Sequence, residues 1–149
     1  MKKLLLSSVV VAGLFLAGCS HKTPEVGPNA DLLTKVQNSV GVVYFDYDKF
    51  NIKSDMTSVI VDNAKLLNQE GAENFKVKVE GNCDEWGTGE YNDALGQKRA
   101  DAVKKALVKG GVSAARIETV TFGKTNPVCT DKTQACDAKN RRAELKLSK

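Results

Sequence analysis

The sequence predicts an α/β two-layer sandwich with helices packed on one face of a sheet, and three patterns carry that reading. Phe75, Val77 and Val79 alternate with Lys76, Lys78 and Glu80, the period of a strand with one buried face. Ala143, Leu145 and Leu147 alternate in the same way with Glu144, Lys146 and Ser148. Between them, apolar residues at helical spacing run from about Glu90 to Lys109 and stop at Gly110-Gly111, a common helix-ending signal.

The other elements follow in chain order. Asp31 to about Val40 is a short helical candidate, with Leu32, Leu33 and Val36 on one side. Val42-Val43-Tyr44-Phe45 is a β-prone run closed by the polar turn Asp46-Tyr47-Asp48-Lys49. Ser54 and Asp55 are placed to cap a helix whose Met56, Val59, Ile60 and Leu67 keep helical spacing. Gly81 ends the strand that begins at Phe75, and Ile117, Val120 and Phe122 mark a further strand with imperfect alternation. The resulting order is strand, helix, strand, helix, strand, strand. No internal repeat is visible.

A chain of 149 residues suffices for one modest domain. Its 42% hydrophobic and 27% charged content is that of a globular domain, and 6% aromatic content argues against a large aromatic ligand platform. The first eighteen residues stand apart from the fold. Lys2 and Lys3 precede an apolar run from Leu4 to Leu16, too short for a spanning helix of roughly 20 apolar residues, so the segment reads as a signal peptide. Removing Lys2 and Lys3 from the 22 basic residues leaves 20 against 18 acidic ones, a net charge of +2 that does not argue for nucleic acid.

Leu16-Ala17-Gly18-Cys19 is similar to a bacterial lipobox, in which Cys19 becomes the acylated first residue. Several acyl chains, at ~0.8 kcal/mol per buried CH₂, anchor a chain without any transmembrane helix. Ser20 after the cysteine implies, by analogy with enteric sorting, an outer-membrane destination facing the periplasm. The division expected is 1–18 signal peptide, 19–40 lipidated tether rich in Pro and Gly, and 41–149 folded domain.

Lipidation of Cys19 leaves Cys83, Cys129 and Cys136. Cys129 and Cys136 bracket the polar loop Thr130 to Ala135, and an oxidising compartment favours a disulfide between them over free thiols. A three-cysteine zinc site competes with that reading but lacks a nearby histidine and a close Cys-x-x-Cys pair. No cofactor or metal is expected.

The helix at 90–109 carries an anomaly. At 100° per residue from Asn92, Leu95, Ala102, Ala106 and Val103 form the apolar stripe, and Arg99 falls inside it at about 340°. A buried guanidinium must be paired or face a cleft. Asp84, in the loop leading to this helix, is the evident counterpart. Either the two form a structural ion pair, or they clamp a ligand with both an ammonium and a carboxylate, arginine taking the carboxylate bidentately.

Gly81-Asn82-Cys83-Asp84-Glu85-Trp86-Gly87, then Tyr91-Asn92, Leu95, Arg99-Ala100 and Val103, resemble the OmpA-like peptidoglycan-binding domain. Val43-Tyr44-Phe45-Asp46, Phe122-Gly123-Lys124 and Asn140-Arg141-Arg142 agree in order and spacing, so the resemblance covers about residues 42 to 147. With the lipobox, the chain is similar to lipid-anchored members of that family that work with the periplasmic Tol proteins. The resemblance implies a four-stranded mixed sheet with helices on one face. It also implies non-covalent binding of peptidoglycan through the diaminopimelate of its stem peptide, linking outer membrane to cell wall and supporting envelope integrity and cell division. The residues implied are Asp84, Arg99, Asn92, Leu95, Phe45 and Asp46. Two departures stand out: the family's usual Gly-His-Ala/Thr-Asp is Gly81-Asn82-Cys83-Asp84 here, and the pair Cys129/Cys136 is not general to it.

Rival chemistries find little support. Gly123-Lys124-Thr125 lacks the glycine a phosphate-binding loop needs at position 118, which is Glu118. A thiol enzyme built on Cys83, or a Ser-His-Asp triad, requires a histidine, and His21 in the tether is the single one. A periplasmic peptidoglycan hydrolase using Asp84 and Glu85 is the alternative that remains; the expectation is a binder and not an enzyme. Flagellar stator proteins carry a similar domain but need a transmembrane helix.

Overall fold

The computed structural model describes residues 28–149. The expected signal peptide, and residues 19–27 of the expected tether with Cys19, lie outside the described residues. From Pro28 the chain is helical: α1 (Pro28–Ser39) includes part of the expected tether, and its Val36 packs with Ala72 and Phe75 as a small core of its own.

Four strands form one mixed sheet in the order β1-β4-β2-β3. These are β1 (Val43–Tyr44), β2 (Lys76–Asn82), β3 (Ile117–Gly123) and β4 (Arg142–Ser148). β4 runs antiparallel to both β1 and β2, while β2 and β3 are parallel. A parallel pair needs a long crossover, and α3 (Gly89–Lys109) supplies it. The alternating patterns put Val77, Val79, Ala143 and Leu145 on one sheet face, in a core with Ile60, Ala64 and Leu67 of α2 (Thr57–Leu67) and Ala100, Val103 and Leu107 of α3.

Three local expectations are corrected. Ser54 and Asp55 do not cap α2. Residues Ser54–Met56 form a separate 3₁₀ turn, and Met56 stands at the helix start with no side-chain capping bond. Gly81 does not end β2, which continues to Asn82. A Cβ on Gly81 would lie 1.8 Å from the carbonyl oxygen of Gly96, so this glycine permits α3 to lie directly on β2. The polar run before β4 holds a further helix, α4 (Gln134–Asn140), whose N-cap Thr133 accepts from the Cys136 backbone N–H.

Candidate functional site

The close approach of Gly81 and Gly96 sets Arg99, one turn further along α3, against the end of β2. Arg99 is completely buried. Its Nε donates to the Lys49 carbonyl at 2.9 Å, Nη1 to the Asn82 carbonyl at 2.9 Å and Nη2 to the Asp46 carbonyl at 3.3 Å. Phe45 lies beneath, its ring centroid 5.3 Å from the guanidinium carbon. The three carbonyls bind the 46–49 turn to the end of β2. They leave one hydrogen on each terminal nitrogen uncommitted to the backbone. Burial lowers the pKa of Arg99, while Cys83 and Asp84 beside it pull the other way.

Asp84 is buried just beyond β2, but its ionic partner is not Arg99. Its Oδ2 lies 3.1 Å from Nη1 of Arg141, and its Oδ1 accepts from the Trp86 backbone N–H at 3.4 Å. The direct Asp84–Arg99 ion pair, one of the two sequence alternatives, is therefore absent among the described residues. Arg141 also donates through Nε to the Phe45 carbonyl at 3.1 Å, joining the residue that follows β1 to the 84–86 loop.

Asn92 is buried and shapes the loop: its Nδ2 donates to the carbonyls of Trp86 and Thr88 at 2.8 and 2.9 Å. Thr88 caps α3 by accepting from the Tyr91 N–H. Leu95 is buried one turn before Arg99. The Asp46 side chain stands apart, exposed and 3.8 Å from Lys53 Nζ, so only its backbone reaches Arg99. Phe45, Asp84, Asn92 and Arg99 thus converge on one end of the sheet, whereas the Asp46 carboxylate points elsewhere.

Sequence reasoning assigned no role to Arg141, Asp137, Trp86 or Tyr47. Trp86 donates its indole N–H to Asp137 Oδ2 at 2.9 Å, and Tyr47, Trp86, Gln134, Asp137 and Arg141 line a cleft of about 570 Å³. The sequence signals were Trp86 within Gly81–Gly87 and the two arginines of Asn140-Arg141-Arg142 at the start of a strand.

Cys129 and Cys136 are joined by a disulfide, which removes two of the three thiolates a zinc site would need. Asn140 adds to this staple by accepting from the N–H groups of Val128 and Cys129 and donating to the Cys129 carbonyl. Breaking the bond by Cys129→Ser with Cys136→Ser should lower stability by about 2–3 kcal/mol, as denaturant melts of both proteins will measure.

Cys83 is free and buried, its thiol 3.3 Å from the Asn92 carbonyl. Burial, opposed by the Arg99 charge and aided by that of Asp84, pushes its pKa from 9.0 to about 11. An unfolded chain releases this proton nearer the ordinary value. The contribution to stability is therefore complete below pH 9.0 and is lost as pH rises through about 11. Cys83→Ala should flatten this part of the alkaline decline, and parallel slopes for variant and wild type in melts across that window would refute it.

The sequence model of the OmpA family matches residues 44–141. The chain belongs to the OmpA family. Within the OmpA family the chain is similar along nearly its whole length to the peptidoglycan-associated lipoprotein of Pasteurella multocida, at 41% identity over 97% of both chains. It is 40% identical to that of Haemophilus influenzae, over 97% of this chain and 96% of the relative. Its structure is similar to that of the peptidoglycan-associated lipoprotein from Burkholderia pseudomallei, with a TM-score of 0.68 at 34% identity, covering 84% of this chain and 98% of the other. The C-terminal domain of Helicobacter pylori MotB, 24% identical with a TM-score of 0.68 over 74% of this chain and 85% of the other, shares the fold of this OmpA family member.

Proposed function

We propose that the chain binds peptidoglycan non-covalently through a diaminopimelate-type residue of the stem peptide, and so ties the outer membrane to the cell wall. The observation that carries this reading is the meeting of opposite charges at one end of the sheet. The Asp84 carboxylate lies there with Arg141 at its side, and the Arg99 guanidinium lies in the same buried cluster. A ligand with both an ammonium and a carboxylate matches that arrangement, the ammonium at Asp84 and the carboxylate at the arginines. Asn92, Phe45, Leu95 and Asp46 belong to the same site, Asn92 by shaping the loop and Asp46 through its carbonyl to Arg99. The full-length likeness to proteins named peptidoglycan-associated lipoprotein supports the same assignment.

The hydrolase alternative is disfavoured because each of its carboxylates is engaged by a cation, Asp84 by Arg141 and Glu85 by Lys132. Membrane attachment is assigned to lipid on Cys19. Among the described residues no helix is long and apolar enough to cross a membrane. Partnership with periplasmic Tol proteins and support of cell division complete the proposal.

The test is co-sedimentation of the full chain, in mild detergent, with isolated peptidoglycan. Binding that free diaminopimelate competes away, without release of soluble muropeptides, is expected. Absence of binding, or binding indifferent to diaminopimelate, overturns the assignment. In cells, Cys19→Ala should move the protein from the membrane to the soluble fraction; unchanged membrane fractionation would refute the lipid anchor.

A further inference from the structure

We propose that Trp86 and Tyr47 form a saccharide-stacking platform beside Asp84, which holds an N-acetylated pyranose of the glycan strand in addition to the stem peptide. The inference rests on the peptidoglycan reading and extends it to the sugar.

Trp86 is 57% and Tyr47 64% exposed, yet the indole is not loose. Its backbone N–H is held by Asp84, its carbonyl by Asn92 Nδ2 and its ring N–H by Asp137. Two ties fix the backbone and one the ring, while more than half of the residue stays open to solvent. An aromatic ring ordered in advance adds contact area on binding at little entropic cost.

The surroundings select the occupant. Trp86 lines two clefts of about 570 Å³ each, one with Tyr47 and Arg141, the other with Glu85, Lys132 and Thr133, and Gln134 and Asp137 line both. Aromatic planes rimmed by amide, carboxylate and guanidinium groups match a pyranose. Its axial C–H groups pack on a ring face, and its equatorial hydroxyl and acetamido groups reach the polar rim. A purely apolar partner would strand those charged groups without water.

The platform is also continuous with the peptide site. Arg141 both pairs with Asp84 and lines the Tyr47–Trp86 cleft, so ligand groups at the two places are neighbours. Asp137, which holds the indole, sits on α4, and the Cys129–Cys136 disulfide fastens the first turn of that helix. The brace is therefore covalently anchored.

Calorimetry on the full chain in detergent, with two probes, tests the platform. One probe is a disaccharide-tetrapeptide muropeptide and the other is the same tetrapeptide without sugar. The wild type should prefer the sugar-bearing probe by about tenfold. Trp86→Ala should bind both probes alike, while Trp86→Tyr retains most of the preference. Because Trp86 is the single tryptophan, its emission in the wild type should also shift with the muropeptide and not with the free peptide. A wild type without preference, or a Trp86→Ala variant that keeps it, overturns the proposal. Failure of the wild type to bind the sugar-free peptide counts against the Asp84 reading alone, since the platform is read from the Trp86-dependent difference between probes.

Discussion

An Arg99→Ala protein should melt roughly 10 °C or more below the wild type, a loss of about 3–5 kcal/mol. The magnitude follows from what the guanidinium holds. It is fully buried and donates to the carbonyls of Lys49, Asn82 and Asp46, three acceptors from two separate segments. Alanine leaves those acceptors without a donor and opens a cavity over Phe45. Lysine should recover only part of the loss, because a single ammonium cannot span the acceptors that a planar fork reaches. Thermal melts by circular dichroism measure all three proteins. The same samples separate structure from binding. Below its melting range, folded Arg99→Ala should fail to co-sediment with peptidoglycan, and near-wild-type binding would reduce Arg99 to a structural tie.

Asp84→Ala should remain largely folded, unlike Arg99→Ala, and still lose peptidoglycan binding by roughly thirtyfold to several-thousandfold. Its ion-pair partner Arg141 keeps a 15% exposed side chain and a second bond to the Phe45 carbonyl, so the cation left behind is neither fully buried nor unanchored. What disappears is the one carboxylate in the cluster suited to a ligand ammonium. Asp84→Asn isolates that charge, since an amide oxygen still accepts from the Trp86 N–H. Equal binding by Asp84→Asn and wild type, measured by co-sedimentation, would defeat the ammonium assignment.

The sheet and the helices α2 and α3 are legible because burial is written locally, in alternation for β2 and β4 and in a stripe for α3. The inward position of Arg99 was legible for the same reason. Its acceptors were not, because backbone carbonyls leave no trace in a sequence. The partner of Asp84 lies 57 residues away, beyond the reach of any periodicity argument. Gly81 is ambiguous because a glycine that ends a strand and one that admits a helix look alike in one dimension. α4 was missed for lack of an apolar stripe: only Cys136 and Asn140 of its seven residues are buried, and a disulfide and an asparagine hold it.

The strand order has a consequence for truncation. Among the described residues β4 is the most C-terminal strand, yet it lies between β1 and β2. Without β4, β1 has no neighbour in the sheet and β2 shows an open edge opposite its parallel partner. The domain therefore cannot acquire its final form piece by piece from its N-terminal end. A product truncated before Arg142 is not a smaller working domain but a chain in which β1 and β2 have each lost their β4 partner, so the two halves of the fold stand or fall on one late strand.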